Sequence, residues 1–123
     1  MAVSNVTSFG RSGLSDWLLQ RVSAIVMIAY LAVVGGYLLF AGDIDYAKWK
    51  AFHEAFWVRL LSLFAVLAMA IHAWIGMWAV LTDYVTVRLL GPKATPLRIL
   101  MQLGMISVTL TYVVWAIVIL WGL

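Results

Sequence analysis

The chain has 123 residues, of which 66% are apolar and 11% charged, with a formal net charge of +3 and a mean hydropathy of +1.06. A soluble globular domain carries about 25% charged residues, so this composition excludes a soluble enzyme or binding module and places the chain in a membrane. Cys is absent, which excludes disulfides, thiolate chemistry and a Cys-ligated iron–sulfur cluster built by this chain. The basic residues are scattered and form no stripe, so nucleic acid is not an expected partner. There is no P-loop, dinucleotide fingerprint, zinc-protease motif or EF-hand loop.

Residues 1–20 read as a short polar arm. Ser4, Asn5, Thr7, Ser8, Gly10, Ser12 and Gly13 make its first part turn-prone, and it lacks the apolar core of a cleavable signal. Ser15 or Asp16 offers a helix cap before Trp17, and residues 14–20 can lie along the interface and run into the first span. Arg21 marks the start of that span, where a snorkelling anchor is the simplest reading; it is also expected near the level of Asp83, as an ion-pair partner for it. Residues 22–42 are uncharged, which predicts a span at about 21–41. Gly35 and Gly36 permit close helix approach or a bend. Tyr30 lies inside the apolar run, so its hydroxyl needs a carbonyl or a partner group.

The first connection opens on Gly42 and on a cap region of Asp43, Ile44 and Asp45. Trp49, Phe52 and Phe56 recur at helical spacing, which predicts an amphipathic surface helix over 46–57. His53 lies on it and reads as an interfacial histidine.

Residues 60–82 hold no Asp, Glu, Lys or Arg over 23 positions, enough to cross a hydrocarbon core of ~30 Å at about 1.5 Å per residue. The second span is predicted at about 59–82. His72 sits near its middle, where an ionisable side chain is costly and marks a function by default. Ala68, His72, Gly76, Ala79 and Asp83 are spaced by four, four, three and four, on one helical face. That face leaves room for something flat, or for another helix. The span closes on Thr82, Asp83 and Tyr84.

Arg88, Lys93 and Arg98 lie in the second connection, punctuated by Gly91-Pro92 and Thr95-Pro96, with Pro96 placed for a first helical turn. The third span is predicted at about 97–121. The arm and the second connection carry five positive charges, and the first connection with its flank carries three. The positive-inside rule then puts the N-terminus and Asp83-Tyr84 in the cytoplasm and the C-terminus outside. The expected fold is an all-α integral membrane protein, with three transmembrane helices forming part of a larger heteromeric helix bundle. It is read as a single membrane-anchor domain over 1–123.

Three roles stay open for His72 from the residues alone: a hydrogen bond across a structural bundle, a proton relay, or an axial ligand to haem iron. A relay needs acidic partners at mid-depth, and this chain has none there. A haem ligand is neutral imidazole. A bis-histidine haem needs a second histidine at that depth, which only another chain or a second copy could supply. Asp83 and Tyr84 read either as an interfacial belt or as part of a quinone pocket. In the second case the phenol donates to a carbonyl that becomes an oxyanion on reduction.

The stretch His72-Ala73-Trp74-Ile75-Gly76-Met77-Trp78, followed by Val80-Leu81-Thr82-Asp83-Tyr84, resembles the hydrophobic anchor subunits of bacterial succinate dehydrogenase, respiratory complex II, of the gamma-proteobacterial D-subunit type. The likeness runs over essentially the full chain and includes Ser4-Asn5, Gly10-Arg11, Asp16, Arg21 and Trp121-Gly122. The resemblance implies an anchor that is no catalyst alone, in the bacterial inner membrane. It implies a haem b shared with a second three-span anchor subunit, with His72 as one axial ligand and Arg21 near the propionates. It implies a ubiquinone-reduction site with Tyr84 as donor and Asp83 beside it. It implies an iron–sulfur subunit and a flavoprotein subunit as partners, which hold the iron–sulfur clusters and FAD. Two departures stand out: Ser15 replaces a histidine of the family pattern, and residues 86–98 are longer, with Gly91-Pro92 inserted. The alternatives are the anchor of a quinol:fumarate reductase, or a structural membrane assembly protein without a redox role.

Overall fold

Long uncharged runs can satisfy their backbone polar groups inside a bilayer only as helices or closed barrels, and this chain takes the helical solution. The computed structural model describes residues 13–122. The turn-prone first part of the arm, with Ser4, Asn5, Gly10 and Arg11, lies outside the described residues. Among the described residues there is no strand, and three helices are long and apolar enough to cross a membrane.

Helix α1 is Gly13–Phe40. It begins eight residues before the predicted start of the span, so residues 14–20 are its first turns, continuous with the span itself. Gly35 and Gly36 neither end the helix nor meet another element: a Cβ at either would touch nothing within 4 Å. The chain leaves α1 through Gly42, whose φ of 76° falls in the left-handed region that glycine tolerates.

Helix α2 is Tyr46–Glu54, capped by Asp45, which accepts a hydrogen bond from the Lys48 amide at 2.8 Å. Tyr37 of α1 stacks on Phe52 of α2, with ring centroids 4.0 Å apart and planes within 9°. The Tyr37 hydroxyl also donates to the Lys48 carbonyl at 3.1 Å. The surface helix ends earlier than its aromatic pattern implied. Ala55 takes φ −58° and ψ 131°, outside the helical region, and Phe56 and Trp57 belong to the next helix. The break redirects the chain from α2 into α3, and no glycine or proline announces it.

Helix α3, Phe56–Tyr84, organises the molecule. Both long helices, α1 and the last one, pack on it and scarcely touch each other. Its buried positions include Ser62, Ala65 and Ala68, small residues that let neighbouring backbones approach. Helix α4, Val87–Leu90, follows with Thr86 as its cap. A 3₁₀ turn over Gly91–Lys93 then leads into α5, Ala94–Trp121. Gly91 has φ +69°, so the turn needs glycine there. Pro96 falls in the first turn of α5, where its missing N–H is not needed.

Leu81, Val85 and Ala94 form a small buried cluster with Met77 and Met101 packed against it. Arg98 seals this end. Its Nη2 donates to the Val85 carbonyl at 2.6 Å and to the Leu81 carbonyl at 3.4 Å, capping the C-terminus of α3 from α5. Elsewhere the apolar side chains stay uncovered, Leu31, Leu39, Leu100 and Ile119 among them. Lipid tolerates such faces, and further helices can cover them.

Candidate functional site

One polar contact between Ser23 and His72 marks the register of α1 against α3. Ser23, buried at 4% exposure, places its Oγ 3.1 Å from His72 Nδ1. The same Oγ donates to the Gln20 carbonyl at 3.0 Å, a local bond that a helical serine makes readily. One turn along α3, a Cβ on Gly76 would lie 3.7 Å from Gln20 Nε2. His72 is thus half-buried and held from α1. At Gly76 the small face predicted for this helix is filled by α1 itself.

The open space lies on the neighbouring strip. Ser62, Ala65, Met69 and His72, at spacings of three, four and three, line a cleft of about 1060 Å³ between α1 and α5. Ala24, Met27 and Tyr30 line it from α1, and Ala116 and Trp121 from α5. Ligand pockets commonly run to ~300–1,000 Å³, so the space suits a large planar group. The methionines can repack around one. At the far end, Ser62 is 3% exposed, its Oγ without a hydrogen bond among the described residues, and the Arg59 guanidinium lies 5.5 Å from the Trp121 ring centroid. His53 also lines the cleft. Its Nδ1 donates to the Trp49 carbonyl at 3.0 Å, and its ring packs on Trp49.

Among the described residues no group of three or more His, Cys, Asp and Glu side chains could cage a metal ion. A macrocycle that brings its own equatorial donors needs only one axial side chain from this chain. His72, on the wall of an apolar cleft with small and flexible neighbours, fits that requirement.

Asp83 and Tyr84 close α3, some 18 Å along the axis from His72 at about 1.5 Å per residue. Both are exposed, Tyr84 at 66%. Neither side chain makes a hydrogen bond among the described residues, while the adjacent Thr82 hydroxyl is satisfied by the Ala79 carbonyl at 3.1 Å. The pair and His72 are therefore separate features, and the pair presents its polar atoms outward.

Arg21 stands elsewhere than its sequence position implied. With Gln20 opposite Gly76, it lies near the level of His72 and Gly76, about two turns short of Asp83. The reason is the early start of α1. Its guanidinium is 5.3 Å from the Trp17 ring centroid, a cation–π arrangement, and it forms no ion pair with Asp83 among the described residues.

Ser23, Gln20 and Arg98 did not stand out in the sequence. Arg98 carried one signal: a cation in the first turn of a helix opposes that helix's dipole, which hints that it serves another element. Ser23 was a lone hydroxyl in an apolar run, and its partner lies 49 positions away.

Comparison with known proteins adds two observations. Residues 2–121 match the family model described as the succinate dehydrogenase/fumarate reductase transmembrane subunit. The succinate dehydrogenase hydrophobic membrane anchor subunit of Coxiella burnetii (strain RSA 493 / Nine Mile phase I) is 33% identical over 111 residues, 90% of each chain.

Proposed function

The chain belongs to the succinate dehydrogenase/fumarate reductase transmembrane subunit family, and from that membership we propose that it is an anchor subunit of a succinate:ubiquinone oxidoreductase. The observation that carries the reading is His72, lodged in an uncharged span on the wall of an apolar cleft. His72 would hold haem b, together with a histidine supplied by a second three-span anchor. Haem supplies a one-electron relay when bound. Arg21, near the same level, or Arg59, which lines the cleft, would meet a propionate. The uncovered apolar faces of α1 and α5 are surfaces for lipid and for the partner anchor.

Succinate oxidation belongs to a flavoprotein subunit, and electrons reach the membrane through the clusters of an iron–sulfur subunit, since this chain has no Cys to bind any. At the end of α3, Tyr84 donates its O–H to a carbonyl of ubiquinone. As two electrons and two protons convert the quinone to the quinol, that donor stabilises the charge developing on oxygen. Asp83, its neighbour in sequence, would pass protons from the aqueous side. Arg98 holds this helix end in place through the Val85 carbonyl. The pocket is completed by partner chains, because Tyr84 is open to the outside here. The N-terminus and this site face the cytoplasm of a bacterial inner membrane, and the C-terminus faces the periplasm.

A fumarate reductase anchor is the second reading, because the matching family covers both enzymes. The same donors would then serve quinol oxidation. The test is an affinity purification in mild detergent with a reduced-minus-oxidised spectrum on the same sample. Expected are a flavoprotein, an iron–sulfur protein and a second small membrane chain, with a b-type haem band that His72→Ala removes or alters. An unchanged band in His72→Ala rejects the ligand assignment. Isolation of this chain alone, without haem, rejects the anchor reading.

A further inference from the structure

We propose that Ser23 is a positioning residue that fixes the tautomer and orientation of His72, keeping the ring proton on Nδ1 and leaving Nε2 as the metal donor. The inference rests on the haem reading above. It starts from the fact that a hydroxyl has a single hydrogen. Ser23 Oγ directs that hydrogen to the Gln20 carbonyl at 3.0 Å within its own helix. Its second contact, 3.1 Å from His72 Nδ1, then requires a proton from the ring. With a bare Nδ1, the O–H would have to turn from the Gln20 carbonyl to the ring at a position only 4% exposed, and the ring proton would then sit on Nε2.

Neutral imidazole has one N–H. Holding it on Nδ1 leaves the lone pair on Nε2, which makes no hydrogen bond among the described residues. The opposite tautomer would put hydrogen on Nε2 and block coordination there. Histidines that bind metals usually donate their other ring N–H to a fixed acceptor, which orients the ring and raises its basicity. Here the acceptor is a serine on α1, so the packing of α1 against α3 sets the ligand. A more basic imidazole favours ferric over ferrous iron, so the contact lowers the midpoint potential of a bound haem.

The test uses the purified complex carrying wild-type chain, S23A or S23T. S23T keeps an acceptor oxygen. It is expected to match wild type in haem midpoint potential and low-temperature electron paramagnetic resonance spectrum. S23A is expected to raise the potential, shift the spectrum, and release haem to an apo-globin scavenger roughly 10–100-fold more readily. If S23A does not assemble, S23V replaces it, since it keeps the shape of threonine without the hydroxyl, and the same differences from S23T are expected. The inference is overturned if the variant lacking the hydroxyl matches wild type in potential and spectrum, or if S23T behaves like that variant. Failure of the underlying reading looks different: haem then persists unchanged in His72→Ala, and Ser23 has no ligand to position.

Discussion

Arg98→Leu isolates what the cap on α3 contributes. The substitution keeps apolar bulk and removes the donor to the Val85 carbonyl, a short charge-assisted bond at 2.6 Å. Hydrogen bonds to charged groups contribute about 1.5–3 kcal/mol. The 3.4 Å contact with the Leu81 carbonyl is near the distance limit and adds little. Loss of a cation beside a helix C-terminus costs about 0.3–1 kcal/mol more. Against this, Arg98 Nε is buried without a partner among the described residues, and removing it returns a desolvation cost of about 1 kcal/mol. The net loss is about 2 kcal/mol, close to 30-fold in a local opening equilibrium at about 1.4 kcal/mol per tenfold. The assay is hydrogen exchange by mass spectrometry on the assembled complex in lipid nanodiscs, read over residues 77–90. Protection in the last turn of α3, including the Val85 amide, should fall about 30-fold. The KM for quinone should rise while the haem spectrum holds. Unchanged exchange over this stretch would refute the idea that Arg98 holds the helix end.

Tyr84→Phe should lower quinone reduction by roughly 100-fold or more, the scale of losing one oxyanion donor, with the haem band intact. Normal turnover together with normal quinone affinity would remove Tyr84 from the site. Gly76→Ala should be tolerated, since its Cβ meets Gln20 Nε2 at an ordinary 3.7 Å and alanine gains about 0.8–1.0 kcal/mol in helix propensity. A thermal melt of the complex should show an equal or higher Tm, and a loss of haem in this variant would mean that glycine is needed for more than the approach of α1.

The spans were legible because they rest on one-dimensional rules: uncharged runs of sufficient length become helices whatever their neighbours. His72 was legible for the same reason, as an ionisable group in a stretch that otherwise excludes them. What the sequence hid was register. No periodicity says that Ser23 lies opposite His72, since that depends on where α1 begins, and its early start also moved Arg21 away from Asp83. Of the two uses left open for the small face, the approach of another helix is the one seen at Gly76, and the cleft lies on the adjoining strip, where Met69 is long and does not read as an opening. The break at Ala55 was hidden because alanine favours helix, and the backbone departs from that preference to redirect the chain.

The dominance of α3 in the packing bears on biosynthesis. The hairpin of α1 and α3 is complete before α5 leaves the ribosome, and it already contains the contact between Ser23 and His72. The imidazole can therefore be set during translation, by two spans that pair as soon as both are in the bilayer. The α5 wall of the cleft, with Ala116 and Trp121, is threaded through the translocon later. Until it arrives, the strip of α3 that carries Ser62, Ala65, Met69 and His72 has only α1 beside it.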